Sequence, residues 1–244
     1  MEIPGTTLPI RFIPATVLVA ALAACQPETP AVQQPAAAAG VPSVVALFDG
    51  LGPGERINFQ CSELVLGAAP AADGEAVLLT YSGQRLELPR PESASGTRYA
   101  DGQGNELMVK NDQSAVLLLA GDSRRECVRS DRPSPWDRAA DNGVAYRAIG
   151  QEPGWLVEVT EAATGDGASL TAHLDYGQQL VEVLELERSG DSFSGSTATG
   201  TRVELAVEQQ QCADAMSGER FPTSATLTVG GEEYAGCGAW LAAE

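Results

Sequence analysis

The chain has 244 residues, with 33 acids against 15 bases, a net charge of −18, five cysteines and one histidine. That charge excludes nucleic acid and an anionic membrane surface as electrostatic partners, and so few histidines and cysteines argue against a zinc or haem site. Hydrophobic residues make up 43% and aromatics only 5%, so a core can be buried, and it is built mainly of small and aliphatic side chains.

Residues 1–24 place one base, Arg11, before an apolar run that falls short of the roughly 20 residues a bilayer span needs. This is the pattern of a secretory signal peptide. It ends in Leu22-Ala23-Ala24-Cys25, which resembles the bacterial lipoprotein box. The resemblance implies cleavage before Cys25, lipid on its thiol and acylation of the new amino group. Several acyl chains on one residue anchor firmly, at about 0.8 kcal/mol per buried CH2. Gln26 rather than Asp after that cysteine implies the outer membrane, with the protein lipid-anchored and facing the periplasm. Residues 25–42 are rich in Pro, Ala and Gln, bury too little to offset their ordering entropy, and form a tether.

The remainder is expected to be all-β: two small antiparallel β-barrel or sandwich domains, each with one disulfide. Short segments with alternating or β-branched apolar residues fall at 57–61, 76–81, 85–88, 107–109 and 115–119. Ser82-Gly83 and Asn111-Asp112 are turns between them. A second series falls at 144–149, 156–159, 169–174, 180–186, 203–207 and 225–229, with Gly/Asp/Ser turns separating some of its members. The run at 180–187 reads as a strand by its alternation, and no helix is expected beyond the signal. The polar, proline-marked stretch around Arg132-Pro133-Ser134-Pro135 sets the boundary, giving a domain at 43–130, a linker at 131–143 and a domain at 144–244. With Cys25 assigned to lipid, Cys61, Cys127, Cys212 and Cys237 allow three pairings in an oxidising compartment. The economical one joins Cys61 to Cys127 and Cys212 to Cys237.

One passage in the first half is specific. Ser93-Ala94-Ser95-Gly96-Thr97-Arg98-Tyr99 precedes Leu107-Met108-Val109-Lys110, with Phe59-Gln60-Cys61 upstream and Glu126-Cys127 downstream. In order and spacing this resembles the MliC/PliC family of membrane-bound or periplasmic inhibitors of C-type lysozyme, over roughly residues 56–128. The resemblance implies a small β-barrel whose loop enters the lysozyme cleft, with Ser95 and Lys110 meeting the catalytic carboxylates. Two carboxylates flank the bond such an enzyme cleaves. A hydroxyl can donate to one and an ammonium can pair with the other. Gly96 allows close backbone approach, while Arg98 and Tyr99 shape the loop. Lys110 is the only lysine in the chain, every other base being arginine. Three departures from the family pattern stand out: Asn111 where a glycine is usual, Met108 where an aromatic is usual, and a longer Ser95-to-Lys110 interval that places an extra residue at Gly102-Gln103-Gly104. The partner implied is a C-type lysozyme, which is basic in animals; an acidic chain would be steered toward it, and solubility accounts for the acidity equally well. No cofactor is expected.

The second half carries Glu152-Pro153-Gly154-Trp155 and a Cys212-Ala213-Asp214-Ala215-Met216-Ser217 segment, with Phe221-Pro222 and Gly236-Cys237 further on. It resembles an uncharacterised bacterial envelope domain with no activity attached. Glu152, Asp214 and Ser217 are the residues a hydrolytic site would use, but a turn, a buried Trp155 and local backbone capping account for them more simply. His173 alternates with apolar neighbours as a structural residue. No nucleophile elbow and no phosphate-binding loop is present, and an enzyme is not expected. The alternative to inhibition is a non-catalytic envelope protein that binds a structural component or a ligand.

Overall fold

Eight strands form the first β-structure of the computed structural model, which describes residues 48, 51, 55–72, 74–91, 98–161 and 167–241. They are Ile57–Cys61 (β1), Leu64–Pro70 (β2), Ala76–Tyr81 (β3), Gln84–Pro89 (β4), Arg98–Ala100 (β5), Glu106–Asn111 (β6), Ser114–Leu118 (β7) and Arg125–Ser130 (β8). The order is β4-β3-β2-β1-β8-β7-β6-β5, with every hydrogen-bonded neighbour antiparallel. Alternation along β1 turns Ile57, Phe59 and Cys61 inward, where they meet Leu66, Leu79, Leu107 and Leu117. The edge strands β4 and β5 lie beside one another, so the sheet curls into a barrel-like shape. Its one non-sequential pairing, β1 with β8, carries the disulfide Cys61–Cys127, whose Cα atoms are 4.1 Å apart.

The second β-structure is a closed barrel of Val144–Gln151 (β9), Gly154–Glu161 (β10), Ala168–Leu174 (β11), Gln179–Ser189 (β12), Ser192–Ser196 (β13) and Arg202–Glu208 (β14), completed by Thr223–Val229 (β17) and Glu232–Trp240 (β18). Between β14 and β17 the chain makes a small ribbon of Cys212–Ala213 (β15) and Arg220–Phe221 (β16). Disulfide Cys212–Cys237 ties that ribbon to β18. The barrel is filled by Tyr146, Trp155, Val157, Leu170, Leu205, Leu227 and their neighbours, as expected of so small a barrel. Strand β12 departs from the regular alternation expected of it. A one-residue shift in its register with β11 places Val181 and Val183 inward, then Leu186, and leaves Leu184 81% exposed.

Contrary to the expectation of no further helix, residues Pro135–Asp141 form one, here α1. Its signal is local and short: the Ser134 side chain accepts a hydrogen bond from the Trp136 N–H as N-cap, and Pro135 opens the first turn. The segment expected as a linker is thus partly helical and packed. Trp136 joins Ala139, Phe221, Ala239 and Leu241 in a third buried cluster outside the barrel. The β3–β4 turn docks there. Ser82 and Gly83 both have positive φ, 49° and 71°, the two-residue hairpin geometry that matches strand twist. A Cβ on Gly83 would collide with Ala239 and Leu241. The described residues all fall within one compact unit.

Polar contacts surround this junction. Ser82 donates to Glu219, and Gln84 Nε2 donates to the Arg220 carbonyl at 2.9 Å. Thr80 Oγ1 donates to Asp137 Oδ2 at 2.9 Å, and Arg56 pairs with Asp137 at 3.3 Å. Burial pushes the Asp137 carboxyl above its usual 3.8, and Thr80 and Arg56 oppose this only in part. The folded state therefore holds this proton more tightly than the unfolded chain does. The stabilisation is fully present below the unfolded value and is lost as pH rises through the raised folded value. Relative to Asp137→Asn, the wild-type unfolding midpoint is expected to decrease as pH rises above the ordinary carboxylate range toward neutrality. Thermal melts of both proteins across that window check this, and a wild-type advantage that grows with pH contradicts it.

Candidate functional site

The β5–β6–β7–β8 surface holds the described residues that the sequence singles out for binding. Lys110 sits near the end of β6 at a bulge: Val109 pairs with Ala115 and Asn111 with Ser114, leaving Lys110 without a ladder partner. A bulge re-aims the side chain it carries, and that of Lys110 is 42% exposed. Its Nζ donates to Glu126 Oε2 on β8 at 2.6 Å, and Arg124 Nε lies 3.8 Å from the other oxygen of the same carboxylate. Val116, between them on β7, is buried. The Lys110 hydrogen bond, opposed in part by desolvation, holds the Glu126 carboxyl below its usual range.

Arg98 and Tyr99 take opposite roles in β5. The Tyr99 ring, 6% exposed, is part of the first core, and burial pushes its hydroxyl upward. Arg98 faces outward and pairs with Glu106 Oε2 at 2.7 Å. Ser95 and Gly96 lie outside the described residues, as does Cys25.

Two departures from the family pattern acquire physical accounts. Asn111 is absent from the non-glycine positive-φ positions among the described residues, which are Ser62, Ser82, Asp175 and Tyr176. It replaces a glycine without adopting left-handed backbone. Instead its Oδ1 accepts from the Gln113 N–H at 2.9 Å and from Ser114 Oγ at 3.0 Å, closing the β6–β7 turn. The extra residue at 102–104 belongs to the β5–β6 turn, where Asp101 Oδ1 accepts from the Gln103 and Asn105 N–H groups at 2.7 and 3.1 Å. That turn lies at the opposite end of β6 from Lys110, so the longer tip leaves the lysine's own surroundings unchanged.

Of the residues a hydrolytic site would use in the second half, Asp214 and Ser217 meet in a local turn. Asp214 Oδ1 accepts from Met216 N, Ser217 N and Ser217 Oγ at 3.1, 2.7 and 2.8 Å. Burial pushes this carboxyl up, but hydrogen bonds from Ser217, Gln151 and Met216 together outweigh it and hold the group below the usual range. Glu152-Pro153 forms the exposed β9–β10 turn, Trp155 is buried with its Nε1 donating to the Ala235 carbonyl at 3.1 Å, and His173 projects outward from β11. Among the described residues, no cluster of three or more His, Cys, Asp or Glu could hold a metal ion, and no helix is long and apolar enough to cross a membrane.

Sequence reasoning missed Glu126 and Arg124 as neighbours of Lys110. The sequence shows Glu126 only as the residue before Cys127; its position across β7 from Lys110 depends on strand order and the bulge.

The fold defines a disulfide-closed antiparallel β protein with an exposed ammonium at a strand bulge. Residues 59–123 match the family model MliC, described as membrane-bound lysozyme-inhibitor of c-type lysozyme. The match covers under a third of the chain, from β1 to the threshold of β8, and includes Lys110. Comparison with curated proteins and with solved structures gives no match.

Because Asn111 works through its side-chain oxygen, restoring the glycine usual in the family is expected to harm the turn. Asn111→Gly should destabilise by about 1–2 kcal/mol, from the lost hydrogen bonds and greater chain entropy. Chemical denaturation measures this, and unchanged or higher stability contradicts it.

Proposed function

We propose that the first β-structure inhibits a C-type lysozyme, with Ser95 and Lys110 directed at the carboxylates of the enzyme's active-site cleft. The family match over 59–123 supports the inhibitor role, and inhibition requires no catalysis by this chain. The observation that carries the residue-level reading is Lys110 itself, the sole lysine, raised on a bulge and exposed. The β5–β6 register supports Ser95 as its companion. Arg98 lies opposite Met108, two residues from Lys110, and Ser95 precedes Arg98 by three. Three residues of chain reach about 10 Å at most from Arg98.

Charge suits the encounter. The chain is strongly acidic as a whole, yet between Arg98 and Arg132 it carries six bases and six acids. A neutral contact face on an acidic body can enter an acidic cleft while the rest of the molecule attracts a basic enzyme. Cys25 carries the lipid that holds the chain at the outer membrane facing the periplasm, the tether at 25–42 gives it reach, and 43–130 is the inhibitory domain. The part at 144–244 is a non-catalytic companion.

Titrating a C-type lysozyme with the soluble chain from Gly40 to Glu244 tests the reading. Inhibition is expected to reach one-to-one stoichiometry and to weaken with added salt. Lys110→Ala should raise the inhibition constant about tenfold, the loss of one charged hydrogen bond in a partly desolvated cleft. An unaffected lysozyme, or a variant that inhibits as well as the wild type, overturns it.

A further inference from the structure

We infer that Glu126 is an exchangeable internal counter-ion that holds Lys110 in the free protein and gives it up to an acidic partner, and that it thereby limits affinity. This deepens the inhibitor reading and rests on it. The contact is direct, with Lys110 Nζ 2.6 Å from Glu126 Oε2 and the two residues on strands separated by β7. The three N–H donors of an ammonium can serve two carboxylates, but both then draw on one positive charge, so each gains less than it would alone.

Two further observations point to exchange rather than to a structural lock. Both side chains are open to solvent, with Glu126 65% exposed, and an ion pair in that setting is weak and readily broken. Arg124 Nε also stands 3.8 Å from Glu126 Oε1. When Lys110 turns to the partner's carboxylate, Glu126 keeps a cation beside it and no bare charge is left at the rim. The chain thus supplies the lysine, the carboxylate that occupies it and the arginine that inherits that carboxylate.

Glu126→Gln removes the competitor and one negative charge from the rim, keeping the side chain's size on an exposed strand position. It is expected to tighten inhibition of a C-type lysozyme about two- to fivefold, the scale of an exposed ion pair. In a Lys110→Ala background the same substitution should change the inhibition constant little, since no ammonium remains to be released. Arg124→Gln should weaken inhibition, because the carboxylate is then left without a partner on exchange.

A measurement without any enzyme keeps the two claims separate. Reductive 13C-methylation of the single lysine gives one side-chain NMR signal, which is expected to shift in Glu126→Gln. Wild-type inhibition together with unchanged or weaker inhibition by Glu126→Gln overturns the counter-ion assignment and leaves the inhibitor reading standing. An equal gain in the Lys110→Ala background overturns it too, showing a general charge effect. A lysine signal that shifts in Glu126→Gln, with no wild-type inhibition, overturns the inhibitor reading and the limit on affinity with it, while the ion pair remains.

Discussion

The pairing of β1 with β8 is the constraint on which the first β-structure depends. Every other neighbour in that sheet is also its neighbour in sequence, so short turns suffice to bring them together. Strand β8 must return across the whole segment to lie beside β1, and the disulfide Cys61–Cys127 fixes that return. In the loop-entropy account a closure of this length stabilises by about 4 kcal/mol. Glu126 immediately precedes Cys127, and β7 spans from β8 to β6. The β6–β7–β8 register sets the carboxylate's position relative to the Lys110 bulge, and the disulfide at the next residue anchors that strand to the core.

The second β-structure solves the same closure differently. Its strands form a complete barrel, so no open edge remains, and its disulfide fastens the β15–β16 ribbon outside that barrel. This ribbon, α1 and the Ser82-Gly83 turn meet around Trp136. The junction combines an apolar contact with Asp137 and Glu219, both pushed upward, burial being the main cause. The two β-structures are joined through packed side chains as well as through the chain connecting them.

Much of this was legible in the sequence, for identifiable reasons. Alternation revealed β1, β3 and most barrel strands because each has one face on a core. The cysteine pairing followed from economy and is the one observed. Strands β2 and β18 were not read because their interiors are rich in glycine and alanine, which look like turn or spacer sequence. In β18 the reason is packing: a Cβ at Gly236 would strike the Ile149 backbone and the Trp155 ring, and one at Gly150 would strike the same indole. Helix α1 escaped notice because seven residues give too little periodicity. At the candidate site, Lys110 stood out by composition and motif. The bulge that presents it and the partner that holds it follow only from register, since Lys110 and Glu126 are 16 residues apart in sequence.

In the proposed function the Lys110 ammonium enters the active-site cleft of a C-type lysozyme. Its most direct test follows the 13C-methyl signal of this lone lysine while unlabelled lysozyme is added. The expected result is a shift that saturates at one equivalent and fails to appear when an oligosaccharide already fills the enzyme's cleft. A lysine signal that stays in place while the enzyme is fully inhibited would contradict it.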